Sequence, residues 1–436
     1  MSSTPKFYEV NAADHADPRS ARSTTTGLVL MGGGARAAYQ VGVLRALARI
    51  RREVGATRGN PFGIIAGTSA GAINAAAIAC QADRFDMAVA GLVQVWRGFS
   101  ADQVYRADAF GVVRSGARWL SMLTLGWALA RWRRASPRSL LDNSPLAELL
   151  ARVIPFERLP ALLNDGHLSA LAVTASSYSS GNHVTFCQTA RPFEPWLRSQ
   201  RAAVPAVIGL DHLLASSAIP FVFPAVSLPI AGQAQWFGDG SMRQSAPISP
   251  AVHLGAERVL VVGAGRLQEP PGQHLNGGDY PSLAQVAGHA LSNIFLDALA
   301  VDIERAQRIN RTLELLDASA RARSPLRPLE LLVIAPSQRI DEIAARHVES
   351  LPPAVRALLR GIGVGDGQKR ARGGAALSSY LLFERGFTHE LIELGMRDAM
   401  ARRDEVIAFF GWPAQTIPHA ERDASPTAWS ALEHTL

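Results

Sequence analysis

The stretch FGIIAGTSAGAINAAAIA, which begins at Phe62, constrains the fold more than any other part of the chain. A short apolar run leads into the pentapeptide GTSAG at residues 67–71, and an alanine-rich run follows it. The first run predicts a buried strand and the second a helix. Ser69 is therefore expected at the apex of a sharp strand-to-helix turn, a unit that is typical of α/β proteins.

Two interpretations of Ser69 follow from this turn. The first is structural, because serine is a favoured helix N-cap and glycines are common between a strand and a helix. The second is a nucleophile elbow, in which Gly67 and Gly71 leave room for a strained turn. The following helix directs its positive end at the serine, which favours alkoxide and oxyanion charge. The strand before Ser69 and the helix after it favour the nucleophile.

A glycine-rich loop precedes the elbow in the same strand–helix–strand unit. It reads Gly32-Gly33-Gly34-Ala35-Arg36, and a helix is predicted from about Ala37. Backbone N–H groups at such a helix start suit either a phosphate or an oxyanion. A P-loop is excluded because its G-K-[ST] sequence is absent. A dinucleotide-binding loop is excluded because residue 37 is alanine where G-x-G-x-x-G needs glycine, and because no acidic residue follows the next strand to bind a ribose. An oxyanion hole beside the elbow is the favoured interpretation.

Asp239-Gly240 lies in WFGDGSMRQSAP, before a helix and a strong strand. Such a pair is by itself the mark of a turn. No histidine lies in a strand–loop position that a Ser–His–Asp triad would demand, and the nearest, His212 and His253, are predicted to be helix-surface or core residues. The order of the two glycine-rich turns also differs from that of α/β-hydrolases, in which the oxyanion loop follows the third strand.

The composition is that of a globular chain. Of the 436 residues, 48% are hydrophobic and 19% are charged, which excludes a disordered protein. The two cysteines, Cys80 and Cys187, argue against a disulfide scaffold and a zinc site. We therefore predict a reducing, cytoplasmic compartment and neither a metal nor a cofactor. Residues 1–26 lack an apolar segment and predict a disordered tail.

The charge is strongly basic, with a net charge of +7 and a pI near 10.0. Such an excess suits nucleic acid, anionic lipid or phosphorylated substrates. No RNA- or DNA-binding motif is present, so nucleic acid is not an expected partner. No run of about 18 uncharged apolar residues predicts a membrane span. In Trp119–Trp132, apolar side chains recur at helical spacing and arginines follow, which predicts either a helix lying on an anionic membrane or a helix packed on the core.

Apolar β-branched runs and helical patterns alternate along the rest of the chain. ERVLVVGAG and PLELLVIAPS are typical of buried parallel strands. LSALAVTASSYSSGNHVTFCQ predicts two antiparallel strands that turn at Ser180-Gly181-Asn182. Helical patterns separate the strands and continue through residues 376–410. We predict an α/β three-layer sandwich with a central, mostly parallel sheet flanked by helices, followed by additional C-terminal helices.

Four stretches occur in the order found in one known family: the loop at 32–36, the elbow at Ser69, the stretch Ala215–Pro220, and Asp239-Gly240. Together they resemble those of the patatin-like phospholipases. The resemblance implies a serine lipid acyl hydrolase without a catalytic histidine. Ser69 would attack an ester carbonyl, Asp239 would accept its proton, and an acyl-enzyme would form and be hydrolysed.

The resemblance has further implications and two departures. The glycine loop would form the oxyanion hole, and Arg36 would order that loop or steer an anionic head group, unless it is simply a solvated residue at a helix start. Ala37 stands where the family has a loop glycine, and Ser241 where glycine or alanine follows Asp-Gly. The substrate would be a phospholipid or another lipid ester at a membrane surface, with the protein peripheral on the inner membrane face. A catalytically silent membrane-associated regulator with the same fold is the alternative.

The resemblance also suggests a division of the chain. A catalytic domain is predicted at residues 27–265, and residues 266–336 would add a helix and a further strand to its core. A helical extension is predicted at 337–415, and a flexible tail at 416–436.

Overall fold

A computed structural model of the protein describes residues 25–106, 139–266, 298–361 and 368–413, together with residues 286 and 289. In this part of the chain, ten strands form one sheet. They are β1 (Thr26–Leu30), β2 (Ile64–Thr68), β3 (Ala170–Ser177), β4 (His183–Thr189), β5 (Leu197–Arg198), β6 (Arg201–Pro205), β7 (Val226–Ile230), β8 (Gln233–Asp239), β9 (Arg258–Val262) and β10 (Glu330–Ile334). The sheet order is β10-β9-β1-β2-β3-β4-β6-β5, and the β7–β8 hairpin joins it where β8 pairs with β3.

The centre of the sheet is parallel, as predicted. β1 lies between β9 and β2, and every neighbouring pair from β10 to β3 is parallel. The runs ERVLVVGAG and PLELLVIAPS form β9 and β10 of this parallel part. β4 turns back through Ser180-Gly181-Asn182 and runs antiparallel to β3, which confirms the predicted hairpin.

Helices connect the strands and extend beyond the last of them. In the described residues the α-helices are α1 (Ala38–Glu53), α2 (Ala70–Ala79), α3 (Phe85–Arg97), α4 (Ser144–Val153), α5 (Leu159–Asn164), α6 (Leu210–Ser216), α7 (Ser249–His253), α8 (Ala298–Glu314), α9 (Ala318–Arg323), α10 (Ile340–His347), α11 (Pro353–Gly361), α12 (Gln368–Leu381), α13 (Arg385–Ala401) and α14 (Arg403–Phe410).

The helices cover both faces of the sheet. Alternate side chains of a strand point to opposite faces, and those of β1 divide accordingly. Leu28 and Leu30 pack in a large core with apolar side chains of α1, α2, α3 and α13. Val29 packs on the other face with Ala251 of α7 and Leu299 of α8. This arrangement is the predicted three-layer sandwich.

The C-terminal helices belong to the larger core. α13 lies along α1, where the Tyr39 hydroxyl donates a hydrogen bond to Asp398 across 3.0 Å and Arg45 contacts Glu393 at 2.9 Å. Leu391 of α13 is buried in the same apolar cluster as the strand side chains. The predicted additional helices are therefore packed on the sheet layer through apolar contacts as well as polar ones.

Some sequence predictions fall outside this description. The stretch Trp119–Trp132, residues 1–24 and the predicted tail at 416–436 lie beyond the described residues. β1 begins at Thr26, so the last residue of the tail predicted at 1–26 belongs to the sheet. Among the helices that are described, none is both long and apolar enough to cross a bilayer.

Candidate active site

Ser69 lies between β2 and α2 in a strained backbone conformation. Its φ is 56° and its ψ is −133°, values that residues other than glycine adopt only when the surrounding structure enforces them, at a cost of about 1–3 kcal/mol. The Ser69 side chain does not cap α2. The capping interpretation of Ser69 is therefore wrong, and the turn has the strained geometry of a nucleophile elbow.

The glycines on either side of Ser69 are required by close backbone contacts. A Cβ atom on Gly71 would lie 2.3 Å from the carbonyl oxygen of Leu30, and one on Gly67 would lie 2.5 Å from the carbonyl oxygen of Gly71. Any side chain at either position would push α2 away from β1 or β2. The G-x-S-x-G spacing is thus a packing requirement of this turn.

The Ser69 hydroxyl donates a hydrogen bond to Oδ2 of Asp239 across 2.5 Å. Asp239 is the last residue of β8, and its Oδ1 accepts a hydrogen bond from the backbone N–H of Ser241 at 2.8 Å. Ser69 and Asp239 are 1% and 0% exposed. The structure therefore joins the two residues that the sequence singled out in a direct, buried contact.

The sheet explains how two residues 170 positions apart in sequence meet. β4 pairs with one edge of β3. On the other edge, β2 pairs with β3 as far as Thr174, and β8 pairs with it from Ala175 onward. β2 and β8 therefore end head to head on one edge of β3, and their terminal residues are brought together.

Burial changes the acid–base properties of Asp239. It raises the pKa of this carboxyl group from 3.8 to about 6, while hydrogen bonds from Ser69 and Ser241 oppose the rise. A base with a pKa close to the working pH transfers protons more effectively than an ordinary carboxylate. Above pH 6 the group is ionised and faces the hydroxyl whose proton it would accept.

Side chains behind Ser69 and Asp239 fix both loops. The hydroxyl of Ser216 accepts a hydrogen bond from the Ser69 backbone N–H at 2.9 Å. The Gln244 amide donates to the Thr68 hydroxyl at 2.7 Å, which links the elbow to the segment after Asp239. Sequence reasoning noted Ser216 only as part of a family-like stretch and missed Gln244, for which no sequence signal exists.

The histidines do not complete a triad in the described residues. His183 is buried and donates from Nε2 to the carbonyl oxygen of Gly240 at 2.8 Å, and burial lowers its pKa to about 4. His212 accepts from the N–H of Gly209 in its own helix start, and His253 stacks on a tryptophan ring. Within the part of the chain that the structure describes, no histidine forms a hydrogen bond with Ser69 or Asp239.

The glycine loop reaches the same cavity as Ser69. Gly34 and Ala70 line this cavity. Gly34 begins a short 3-10 helix (Gly34–Ala37) ahead of α1, and Ala70 begins α2, so neither N–H group has an acceptor within its helix. Gly32 and Gly33 are buried but do not line it. Ala37 has an ordinary helical φ of −65°, which explains why alanine is accommodated where the family has glycine.

Arg36 is a buried residue. It is 1% exposed, and its Nε donates to the Ser379 hydroxyl at 2.7 Å. Its guanidinium lies 3.4 Å from Asp341 and 4.3 Å from the centre of the Tyr380 ring. The interpretation of Arg36 as a solvated helix-start residue is therefore wrong, and its guanidinium instead fastens the glycine loop to α10 and α12.

Residues 28–252, which contain this site, match the sequence model of the patatin-like phospholipases. The chain belongs to the patatin-like phospholipase family. The match covers the glycine loop, the elbow and Asp239, so the family membership rests on the region that forms the site. As a member of this family, the protein is a lipid ester hydrolase.

The chain also matches solved structures with which it shares little sequence. VipD from Legionella pneumophila is 14% identical, with a TM-score of 0.30, over 86% of this chain and 67% of that one. ExoU, in its heterodimeric complex with SpcU from the type III secretion system of Pseudomonas aeruginosa, is 16% identical, with a TM-score of 0.26, over 89% of this chain and 77% of that one. No curated protein matches the sequence.

Proposed function

We propose that the protein hydrolyses carboxylic ester bonds of phospholipids or related lipids through a Ser69–Asp239 dyad. As the Ser69 oxygen bonds to the carbonyl carbon of the ester, Asp239 accepts the proton of the Ser69 hydroxyl. The π electron pair of the C=O bond moves onto the carbonyl oxygen and forms the oxyanion. When that pair returns, the ester C–O bond breaks and the alcohol leaves with the proton. Water then attacks the acyl-enzyme with Asp239 again as base, which releases the fatty acid and restores Ser69.

The observation that carries this proposal is the 2.5 Å hydrogen bond between Ser69 Oγ and Asp239 Oδ2. Serine is a weak nucleophile unless a neighbouring base removes its proton. The direct contact supplies that base, and the raised pKa of Asp239, about 6, suits it to accept a proton near neutral pH.

Stabilisation of the oxyanion would come from the loop Gly32, Gly33 and Gly34. The cavity that Gly34 shares with Ser69 supports a direct role for its N–H group, and Ala70 at the start of α2 is a second donor. Each donor of this kind typically lowers the barrier by about 3 kcal/mol. Arg36 would act through the loop, since its buried contacts with Ser379 and Asp341 hold the loop in place.

We further propose that the protein is cytoplasmic and acts as a peripheral protein at the inner membrane face. The net charge of +7 and the free cysteines support this location. Binding should be measured by co-sedimentation with anionic vesicles at low and high salt. If Trp119–Trp132 forms the membrane contact, Trp119→Ala combined with Trp127→Ala will weaken binding, and unchanged binding will reject that role.

The alternative raised by the sequence is a catalytically silent regulator with the same fold, and the low exposure of Ser69 is the observation that favours it over the hydrolase activity of the family. A fluorophosphonate probe separates the two candidates, because it labels only an activated serine. We expect labelling of the wild-type protein and hydrolysis of a short-chain nitrophenyl ester. Both should be lost in Ser69→Ala, and ester hydrolysis should be lost in Asp239→Asn, with an unchanged circular dichroism spectrum.

The double variant provides a sharper test of the dyad. Combining Ser69→Ala with Asp239→Asn should cost little more activity than either change alone, because groups that act as a unit are not additive. Asp302→Asn is the matched control, since Asp302 is another buried carboxylate with a raised pKa and binds the Ile248 N–H away from Ser69. An active Ser69→Ala protein, or a wild type that neither labels nor hydrolyses, would contradict the proposal.

A further inference from the structure

Aromatic side chains close the cavity beside Ser69. Its walls include Trp96, Phe99, Phe223 and Phe383, and its volume is about 30 Å³. That is room for about two water molecules, whereas small-molecule sites usually measure roughly 300–1,000 Å³. A lipid acyl chain can therefore occupy this cavity only where a wall residue moves or is replaced by a smaller one.

Phe383 differs from the other wall residues in its position along the chain. It lies in the short link between α12 and α13, which consists of residues 382–384. Trp96, Phe99 and Phe223 fall within residues 28–252, which match the family, whereas Phe383 falls outside them. The far C-terminal part of the chain thus supplies one wall of the cavity next to the nucleophile.

Two contacts join the segment 379–383 to the glycine loop. Arg36 donates to the Ser379 hydroxyl at 2.7 Å in a buried contact. Gly34, whose φ is +53°, lies so close to the segment that a Cβ atom there would be 2.3 Å from the carbonyl oxygen of Tyr380. The segment is therefore in backbone contact with the loop that faces Ser69.

The ring of Phe383 belongs to an aromatic cluster. Its centroid lies 5.9 Å from that of Phe99, 6.3 Å from that of Trp96 and 6.4 Å from that of Tyr105. The Tyr105 hydroxyl also donates to the carbonyl oxygen of Leu381 at 3.0 Å. These contacts hold the Phe383 ring at the cavity wall.

We propose that Phe383 is a specificity-determining residue that limits the length of the acyl chain bound beside Ser69. This inference rests on the proposed function, since it assigns the apolar cavity to the acyl group of the ester. The Phe383 ring must move further to admit a longer acyl chain than a shorter one, so the ring in this position favours short chains. A smaller side chain opens the wall towards the link between α12 and α13.

The test compares the full-length protein with Phe383→Leu and Phe383→Ala on nitrophenyl butyrate, octanoate and palmitate. The measured quantity is the ratio of kcat/KM for the long esters to that for butyrate. This ratio does not depend on the fraction of folded enzyme, so a loss of stability does not imitate the effect. We expect the octanoate-to-butyrate ratio to rise by about tenfold in Phe383→Ala and by less in Phe383→Leu.

Phe387→Leu is the matched control. Phe387 is fully buried in α13, four residues beyond Phe383 in the sequence, and does not line the cavity. Its replacement should destabilise the protein and leave the ratio unchanged. A ratio that stays constant in both Phe383 variants, or that rises equally in Phe387→Leu, overturns the inference while Ser69-dependent hydrolysis persists. Hydrolysis that survives Ser69→Ala contradicts the proposed function instead.

Discussion

The hydroxyl of Ser216 lies 2.9 Å from the backbone nitrogen of Ser69, from which it accepts a hydrogen bond, and it donates its own proton to the carbonyl oxygen of Thr174 at 2.6 Å. One buried side chain therefore holds the strained backbone of the elbow against β3. Because the Ser69 N–H donates to Ser216, it is not available to an oxyanion, which other N–H groups would have to stabilise.

Ser216→Ala removes this link. Two buried backbone groups lose their partner, so the free energy of unfolding should fall by about 1–3 kcal/mol. We expect kcat to fall by about 10- to 100-fold with little change in KM, because the nucleophile is misplaced while the substrate cavity is intact. Urea unfolding and steady-state kinetics measure the two effects. Ser177→Ala is the control, since that buried hydroxyl also joins two partners, Gln235 and the Ser180 N–H, and does not line the cavity; an equal loss of kcat in both variants would contradict the positioning role.

The pKa of Asp239 predicts the acid limb of the pH–rate profile. Because burial raises this pKa to about 6, kcat/KM should be half-maximal near pH 6 and fall about tenfold per pH unit below it. An ordinary aspartate base would place the midpoint near pH 4. The profile should be measured on an uncharged ester over the range in which circular dichroism shows a folded protein. A midpoint near pH 4 would mean that Asp239 is not the titrating base.

The same shift makes a prediction about stability. The folded-state pKa lies above the ordinary 3.8, so the folded protein binds this proton more tightly than the unfolded chain does. Protonation of Asp239 therefore stabilises the folded protein. This contribution to the free energy of unfolding is fully present below pH 3.8 and is lost as the pH rises through 6, a change of about 3 kcal/mol. Asp239→Asn removes the buried charge. It should therefore raise the free energy of unfolding by up to about 3 kcal/mol near pH 8 and by progressively less below pH 6, as measured by urea unfolding.

Histidine replacements test the dyad against a triad. Single changes of His183, His212 and His253 to Ala should each leave most of the esterase activity, because none of these residues touches Ser69. His183→Ala should be the most destabilising, by about 1–3 kcal/mol, since its ring satisfies the buried carbonyl group of Gly240. If any folded histidine variant falls to the activity of Ser69→Ala, a triad replaces the dyad.

The elbow and the parallel sheet could be predicted because their signals are local. Gly67, Ser69 and Gly71 stand within one turn, and the apolar runs of β9 and β10 show their burial directly in the sequence. Asp239 was identified through the family resemblance, since an Asp-Gly pair alone indicates only a turn. Its contact with Ser69 depends on β2 and β8 sharing one edge of β3, and no local pattern encodes that register.

The contacts of Arg36 and Phe383 could not be predicted, for a related reason. Arg36 has the sequence context of an exposed residue at a helix start, yet Ser379, 343 positions later, binds it in the core. Phe383 stands in a run with helical character, and only the break between α12 and α13 directs it to the cavity. Both positions are decided by how distant helices pack, and that packing depends on the whole chain at once.

The meeting of β2 and β8 on one edge of β3 has a consequence for the newly made chain. Ser69 leaves the ribosome 170 residues before Asp239, an interval of roughly 10–30 s at ordinary rates of synthesis. Until β8 has been made and paired, Ser69 lacks its contact with Asp239. Until Ser379 follows, the loop that carries Arg36 lacks its buried partner. On the proposed mechanism, a nascent or truncated polypeptide without β8 has no base for Ser69, so lipolytic capacity would arise only after β8 has paired with β3.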